Sequence, residues 1–359
     1  TIFDKIIQSV GSILEENQDN NEVLAHWLTN SVTLLALFRK YVRPPSESGM
    51  QRRSRAPSGL FAFKTSGIFS RSPAPQALNP SSQKQVEAKY PALLFKQQLD
   101  AFVQKIFSLL RDNIKKDIAP TLNNCIHAPR GRAASNAADK KRGQGGPASR
   151  GGVGKDWTQI INSSQSLLQL LKDTHVPKFL VRKLFKQVFA FINVQLFNQL
   201  LLRRECCSFS NGEYVKTGLA ELENWIHVSK PDNVGTSLEE LKQIRQAVSF
   251  LVIHQKPKKS LEEITNDLCP ILSVQQLYRI STMYWDDKYG TETVSGEVLG
   301  RMKRMMVEDS HSSNSNTSFL LDDDPSVPFS WDQVEMKIEM KGIPAPDSLR
   351  GQPSFDFLF

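Results

Sequence analysis

Residues 174–204 read THVPKFLVRKLFKQVFAFINVQLFNQLLLRR, and their apolar side chains fall on every side of a helix drawn through them. A helix that is apolar all round has to be surrounded by protein or by lipid. The charge-free run 187–202 is shorter than the roughly 20 residues of a membrane span, and it carries two asparagines and three glutamines. The stretch therefore predicts a central core helix over residues 175–204, about 45 Å long, that runs through two packed sub-domains.

The ends of this helix are predicted from residues that cap or interrupt helices. A proline is tolerated in a first helical turn, so Pro177 fits inside the helix, and Thr174 is the candidate cap before it. Ser208, Asn211 and Gly212 follow the last apolar residues and predict a break in the chain there.

Composition favours a cytosolic globular protein. The 359 residues are 40% hydrophobic, which is enough for one large core or two ordinary ones, and the net charge is +8. No basic stripe interleaved with aromatic residues accompanies that charge, so nucleic acid is not predicted as a partner. Cys125, Cys206, Cys207 and Cys269 form no CxxC pair, which indicates reduced, buried thiols. A chain that opens at Thr1 without a secretory signal is expected to be a piece of a longer protein.

Residues 1–128 predict a first helical sub-domain. Two amphipathic helices reach residue 42, and a mobile loop rich in Pro, Ser and Arg covers residues 43–85. A long helix is then expected over 86–118, ending before Pro120. A disordered basic linker over 129–155 follows this sub-domain.

Residues 156–307 predict a second helical sub-domain that contains the central helix. Three pairs of residues have the spacing of a capping box, in which a hydroxyl and a later side chain satisfy the first free amides of a helix. They are Ser237 with Glu240, Ser260 with Glu263, and Ser273 with Gln276. No alternating run with hairpin turns interrupts these helices, so the predicted fold class is all-α, an elongated bundle of two sub-domains that share the long central helix.

Residues 308–359 are predicted to form a C-terminal tail. Apolar residues recur in this otherwise polar segment, which favours a strap that wraps back onto the helical body. Near Val334 the pattern fits a short strand and a short helix equally well.

The sequence offers no site for catalysis, cofactor or metal. RGGVGKDW at 150–157 fails as a phosphate-binding loop, because Ser149 replaces the first glycine of GxxxxGK and Asp156 replaces the residue that would hold magnesium. The six histidines lack metal-binding spacing. Asp286 and Asp287 are adjacent and therefore favour a surface cap or turn over a paired acid site.

Four stretches of this sequence resemble the dilute domain of class V and class XI myosin tails. The most specific is LLLRRECCSFSNGEYVKTGLAELENWI at 200–226, whose sequence resembles that of plant class XI myosins. VPKFLVRKLFKQVFAFINVQLFNQL precedes it at 176–200, and HQKPKKSLEEITNDLCPILSVQQLYRISTMYWDDKYGTETVS follows it at 254–295. AHWLTNSVTLLALFRKY at 25–41 resembles the start of the globular tail.

The resemblance implies a non-enzymatic, cargo-binding globular tail of an actin-based motor. Such a tail binds vesicle or organelle receptor proteins and Rab-type GTPases, and in the folded-back motor it contacts and inhibits the head. The ATPase head and the dimerising coiled coil would lie upstream, so the isolated tail is expected to be a monomer in the cytoplasm, associated with vesicles through its partners. An alternative is a peripheral membrane module whose basic loops bind anionic lipid.

The resemblance to yeast class V tails also implies a Rab-binding surface. Its positions correspond here to Phe209, Glu213, Thr217, Ser249, Val252 and Tyr284. Phe209 and Tyr284 keep the aromatic character, whereas Thr217 stands where the family often has tyrosine. A core staple at a helix end is the alternative role for Phe209.

The residues themselves suggest a second set of anchors around the break at Gly212. Arginine and tyrosine are common in interface hot spots, and loops on a rigid scaffold often carry recognition. The candidates are Arg203, Arg204, Tyr214 and Lys216. Helix capping and a solvated face are the alternative explanation.

The first loop carries three candidate phosphorylation sites. Ser54 and Ser58 follow arginines, and Ser72 precedes a proline. Each phosphate would add about two negative charges to a basic segment.

Overall fold

The computed structural model describes residues 2–43, 86–87, 90–128, 154–287, 289–312, 319–327 and 347. Several predictions lie outside these residues. They are the mobile loop after residue 43 with Ser54, Ser58 and Ser72, the basic linker up to residue 153, and the element near Val334.

The described residues fold almost entirely into helices, so the predicted all-α class is confirmed. In chain order they are α1 (Ile2–Glu16), α2 (Asn21–Tyr41), α3 (Tyr90–Cys125), α4 (Lys155–Asp173), α5 (Lys178–Leu202), α6 (Phe209–Val228), α7 (Pro231–Val234), α8 (Lys242–Leu251), α9 (Val274–Met283) and α10 (Gly296–Ser312). Shorter helical turns occupy Arg204–Cys206, Ser237–Leu241, Lys256–Lys258 and Glu263–Leu268. Two-residue strands, β1 (Val42–Arg43) and β2 (Val86–Glu87), form one parallel pair.

The central helix α5 is surrounded by protein, as its sequence predicts. Fifteen of its 25 residues are buried, and at about 1.5 Å per residue it is about 38 Å long. It packs against α3, α7, α8 and α9, which come from the first and the second half of the chain. Among the described helices, none combines the length and the apolarity that a bilayer span requires.

The expected start of α5 at residue 175 and its cap at Thr174 are wrong. Thr174 closes the preceding helix instead, because its hydroxyl donates a hydrogen bond to the Leu170 oxygen at 2.8 Å. His175 then adopts the left-handed region with φ of 59°, which prevents the helix from continuing through it. α5 begins at Lys178, directly after Pro177 and without a side-chain cap.

Helices α1, α2 and α3 pack on one another in the first half of the chain. The rings of Phe3, Phe38 and Phe95 form a cluster, with the Phe3 and Phe95 centroids 4.6 Å apart. Val10 of α1 is buried, whereas Ile6, one turn earlier, is 37% exposed.

Helix α3 continues through Pro120, so its predicted end before that residue is wrong. A proline inside a helix removes one hydrogen bond and costs about 3 kcal/mol. The turn beyond it carries Leu122, Cys125 and Ile126, all fully buried, and burying one leucine or isoleucine side chain is worth about 1.5–3 kcal/mol. Packing therefore decides where this helix ends.

Two of the three predicted capping boxes form. They are Ser260 with Glu263 and Ser273 with Gln276. The third is wrong, because Ser237 begins a 3-10 turn and its hydroxyl donates to the Val234 oxygen instead of accepting from Glu240. The compact turn α7 places that carbonyl within reach of the hydroxyl.

Residues 319–327, here called the strap, lie across α9, α5 and α3. Phe319, Leu320, Leu321 and Val327 pack against the core. Helix α10 reaches Ser312, five residues beyond the predicted end of the second sub-domain at 307. The division of the chain into sub-domains stays a prediction.

Candidate interaction surface

A short turn joins α5, which ends at Leu202 instead of the predicted residue 204, to α6. Arg203 is extended and ends α5, and a 3-10 turn then brings the chain to Ser208. Ser208 starts α6 rather than interrupting the chain, because its hydroxyl accepts the N–H of Asn211 at 3.3 Å. Asn211 and Gly212 therefore lie in the first turn of α6, and their predicted role as helix breakers is wrong.

Asn211 fixes this turn to the end of α3. Its side-chain amide donates to the main-chain oxygens of Ile126 at 2.8 Å and Cys206 at 2.9 Å. Its side-chain oxygen accepts the N–H of Ala128 at 2.8 Å. Because Asn211 is buried, the two bonds that its amide donates are shielded from water, and all three bonds tie the turn to the end of α3.

Trp285 lies against the same turn. Its main-chain N–H donates to the Cys207 oxygen at 3.1 Å, and its indole N–H donates to the Arg204 oxygen at 3.0 Å. The rest of the Trp285 side chain is partly exposed, and the Arg204 side chain is exposed beside it. Leu202, which is 55% exposed, precedes this pair.

A cluster of aromatic rings continues this surface. Phe209 is buried, and its ring centroid lies 4.7 Å from that of Tyr289 and 4.5 Å from that of His254. Tyr289 is 55% exposed, and His254 is also exposed. Phe209 thus supports two exposed rings from beneath, which agrees with the staple role proposed as an alternative.

We call five exposed side chains near the turn between α5 and α6 the junction surface. They are Leu202, Arg204, His254, Trp285 and Tyr289. Arginine, tryptophan and tyrosine are the residue types that dominate interface hot spots. The three elements that carry them meet at the end of α5.

Asp286 and Asp287 are turn-forming residues, as the sequence favoured. The Asp286 carboxylate accepts main-chain N–H groups of Tyr289, Gly290 and Thr291 at 3.1 to 3.2 Å. These bonds, led by that from Thr291, lower the pKa of Asp286. Asp287 accepts the N–H of Ser210 at 3.1 Å in the first turn of α6. Both carboxylates therefore hold the loop that presents Tyr289.

Lys256 and Tyr284 support the surface from inside. The Tyr284 hydroxyl and the Thr291 hydroxyl are hydrogen bonded at 2.6 Å, and the Lys256 ammonium lies over the Tyr284 ring. Tyr284 is buried, so its direct contact with a partner stays a prediction while its packing role is visible.

The other predicted anchors spread over α6 and its surroundings. Arg203 pairs with Glu205 at 2.9 Å, close to the junction surface. Tyr214 is half-buried where α6 meets the start of α4, and a Cβ atom on Gly154 would lie 2.5 Å from its hydroxyl.

Glu213, Lys216 and Thr217 are exposed on α6. Glu213 and Lys216 are 3.9 Å apart, and the Thr217 hydroxyl bonds to the Glu213 main-chain oxygen. Ser249 is exposed on α8, and Val252 is half-buried after it. Arg203, Arg204, Phe209 and Tyr284 thus lie at or next to the junction surface, and Val252 lies against Gly212 in the first turn of α6. The other predicted residues lie elsewhere on α6 and α8.

All four cysteines are buried, and burial raises their pKa values. The pKa rises to about 11 for Cys206 and to about 12 for Cys125, Cys207 and Cys269. A thiol reacts as the thiolate, so these cysteines are inert at neutral pH. Among the described residues, no group of His, Cys, Asp or Glu side chains is arranged to hold a metal ion.

Leu202, His254, Trp285 and Tyr289 are members of the surface that the sequence analysis missed. His254 lies 45 residues after Phe209 in sequence, and Tyr289 lies 80 residues after it. The signal available was YWDDKYG at 284–290, in which aromatic residues flank turn-forming ones. It indicates a loop with exposed rings but not the helix that the loop packs against.

Comparison with known proteins identifies relatives of this chain. A family model described as the DIL domain matches residues 183–288. The chain is 52% identical over 370 residues to Myosin-11 of Arabidopsis thaliana, covering 100% of this chain and 24% of that protein. It is 48% identical over 362 residues to Protein OPAQUE1 of Zea mays, covering 99% of this chain and 23% of that protein. The chain thus spans about a quarter of the length of the curated relatives that it matches.

Solved structures show the same fold at low identity. The Myo2-GTD apo structure matches with a TM-score of 0.56 and 14% identity, over 75% of this chain and 63% of that one. The globular tail of Myo4p matches with a TM-score of 0.54 and 16% identity, over 89% and 76%. Residues 183–288 thus match the DIL domain, the whole chain is similar in sequence to plant class XI myosins, and its fold is that of the globular tails of class V myosins.

Proposed function

We propose that this chain is the cargo-binding tail of an actin-based class XI motor and that the junction surface binds vesicle or organelle receptor proteins and Rab-type GTPases. The observation that carries the proposal is the exposure of Arg204, Trp285 and Tyr289 near the end of α5, where the Trp285 indole donates to the Arg204 main-chain oxygen. Structures of the related Myo2-GTD have been solved in complex with Mmr1, Smy1 and Inp2, which supports protein partners for tails of this fold.

The chemistry of the surface fits a partner with an acidic and an apolar group. Arg204 offers an exposed guanidinium, and the rings of Trp285 and Tyr289 offer apolar area that loses little entropy on binding. Arg203 is already paired with Glu205 and contributes less charge to a partner.

The test compares affinity capture from plant membrane extracts by the wild-type chain, Arg204→Glu and Trp285→Ala. Lys303→Glu on the exposed face of α10 is the matched control for charge, and Ile271→Ala is the control for lost apolar area. Receptors and Rab-type GTPases lost by both junction variants and kept by both controls would support the proposal. Retention of every partner by folded junction variants would exclude this surface.

A purified system tests the Rab component separately. Plant Rab-type GTPases loaded with a non-hydrolysable GTP analogue should bind the wild-type chain and bind Trp285→Ala at least tenfold more weakly. Equal affinity for the GTP and GDP forms would contradict recognition of an active Rab.

Regulation of the motor head is a further part of the proposal. Receptor binding would compete with contacts between tail and head, and so couple cargo to motor activation and to organelle movement such as cytoplasmic streaming. In this view the isolated tail is a cytoplasmic monomer that reaches vesicles through its partners. The ATPase rate of an isolated head should fall when the tail is added, and an unchanged rate would count against this coupling.

A further inference from the structure

Side chains from three helices hold the strap by its main chain. The donors are amide and guanidinium groups, and the acceptors are carbonyl oxygens spread along the strap. The bonds run from Arg111 to Pro325 at 2.6 Å, from Gln187 to Ser326 at 2.6 Å, from Asn198 to Leu321 at 2.8 Å, and from Gln276 to Phe319 at 3.0 Å.

Asn198 of α5 pairs with Leu321 in both directions. Its amide donates to the Leu321 oxygen, and its side-chain oxygen accepts the Leu321 N–H at 2.8 Å. This is how one strand pairs with another, and it does not depend on which residue stands at that position of the strap. The groove between α3, α5 and α9 therefore binds an extended main chain.

The groove also contains a buried ammonium group. Lys115 on α3 is 7% exposed, and its Nζ lies 2.8 Å from both carboxylate oxygens of Asp323 in the strap. The same nitrogen lies 5.2 Å from the centre of the Phe191 ring. Arg111, one turn earlier on α3, is also buried, and its Nε pairs with the exposed Asp112.

A buried ammonium needs a counter-charge, because leaving it unpaired in the protein is strongly unfavourable. Asp323 supplies that charge to Lys115 from a segment of only nine described residues. When the strap leaves the groove, water reaches the ammonium, and a carboxylate from another segment can take the place of Asp323. The groove thus has a defined chemical preference: a main chain with a carboxylate at one position.

We propose that this groove is a binding site for acidic, extended segments of partner proteins, and that the strap occupies it in cis. The strap reads FLLDDDPSV, so a matching ligand has apolar residues at its start, a carboxylate at its fifth position, and carbonyls free for Arg111 and Gln187 after it. The groove is a second partner site, formed by other residues than the junction surface, and the proposal stands without that surface.

Occupation by the strap makes the site regulated. The strap is tethered to the body, so its effective concentration exceeds that of a free partner segment. A partner gains access in proportion to the fraction of molecules whose strap is released. Cargo segments that supply a better acidic match would displace it.

The test uses the full 359-residue chain and a fluorescein-labelled peptide of residues 317–329. Asp323→Asn weakens the strap in cis. Asp324→Asn is the control, because the hydrogen bonds of Asp324 go to Ser326 within the strap and its carboxylate acts on Arg111 and Lys115 only through space. Fluorescence anisotropy measures binding. Hydrogen exchange at the Leu321 amide measures release of the strap.

We expect the peptide to bind Asp323→Asn at least tenfold more tightly than the wild-type chain or Asp324→Asn. A second peptide, in which Asp323 is replaced by lysine, should bind the Asp323→Asn chain at least tenfold more weakly than the unaltered peptide does. A chain carrying Lys115→Asp should bind the lysine peptide more tightly than the unaltered peptide. On the wild-type chain, excess peptide should speed exchange at the Leu321 amide, a result that does not require any variant to fold.

Three outcomes would overturn the proposal. The two peptides could bind Asp323→Asn equally, which would show that the carboxylate is not read. Exchange at Leu321 could rise in Asp323→Asn without peptide binding, which would show that the open groove takes no ligand. Exchange at the Leu321 amide could stay unchanged both in the Asp323→Asn chain and in the wild-type chain with excess peptide. That result would show that Asp323 does not hold the strap and that the peptide does not displace it.

Discussion

The ammonium nitrogen of Lys256 lies 4.0 Å from the centre of the Tyr284 ring and donates a hydrogen bond to the Ile253 oxygen at 2.7 Å. Lys256 is 1% exposed, so this cation is held between the loop that carries His254 and the loop that carries Tyr289. The contact links the two loops of the junction surface through one charge.

Lys256→Met should remove a dependence of stability on pH. Burial lowers the pKa of Lys256 from 10.5 to about 8. Between these values the unfolded chain binds more protons than the folded one, so the Lys256 contribution to the free energy of unfolding rises with pH, by about 2 kcal/mol between pH 7.5 and 9.5. Urea unfolding of both proteins at several pH values measures the difference.

The comparison with the variant is needed because the four buried thiols act in the opposite direction. Their raised pKa values make stability fall as pH rises through the range in which the thiols of the unfolded chain ionise. The four thiols are present in both proteins, so their effect cancels when the free energy of unfolding of Lys256→Met is subtracted from that of the wild type. A difference that stays constant from pH 7.5 to 9.5 would contradict a buried, shifted lysine.

His26 should make the fold sensitive to mild acid. This buried histidine has its pKa lowered by desolvation from 6.5 to about 4. Between these values the unfolded chain takes up a proton that the folded chain excludes, so stability falls by about 2 kcal/mol from pH 7 to pH 5. His26→Gln should lose that part of the slope, and His227→Gln, an exposed position of α6, is the control. Parallel curves for wild type and His26→Gln would rule the effect out.

Gly218→Ala should destabilise the contact between α4 and α6. A Cβ atom at Gly218 would lie 2.2 Å from ring carbons of Trp157, which is fully buried and has no room to move. Overpacking of this kind costs about 1–3 kcal/mol or more. Gly300→Ala on α10 is the matched control, because its nearest neighbour is an arginine nitrogen at 3.9 Å and alanine favours a helix by about 1 kcal/mol. In thermal unfolding, the melting temperature of Gly218→Ala should fall below that of the wild type and that of Gly300→Ala should rise above it. Equal melting temperatures of the two variants would refute the argument.

Local sequence patterns predicted the features that local forces control. The apolar run of α5 required burial on all sides, and the structure buries it. The spacing of Ser273 and Gln276 required only a helix start, and the capping box forms. Both signals lie within a few residues of the structure that they predict.

Contacts between distant segments were not predictable in this way. The packing of Leu122 carries α3 through Pro120, and the bond from Trp285 to Arg204 joins residues 81 positions apart. The same holds for Lys115 and Asp323, because a buried lysine on α3 looks in sequence like any surface lysine. The candidate site is built from such pairs, so single members of it were predictable from local sequence, and their arrangement was not.

Asn211→Ala should loosen the junction surface from the body. The substitution leaves the N–H of Ala128 and the oxygens of Ile126 and Cys206 without their partner. A buried polar group left unpaired costs about 1–3 kcal/mol. Because the freed groups regain part of this cost from water, we expect a total loss of about 2–4 kcal/mol in the free energy of unfolding. Urea unfolding measures it, with Asn162→Ala on the exposed face of α4 as the control.

The same substitution should also change local motion. Because Asn211 holds the turn that carries Arg204 against the end of α3, hydrogen exchange at residues 204–208 should speed up more than exchange within α5. A uniform increase over the whole chain would mean that Asn211 supports global stability only. An increase confined to the turn would show that the position of Arg204, and with it the charge offered to a partner, depends on this one buried amide.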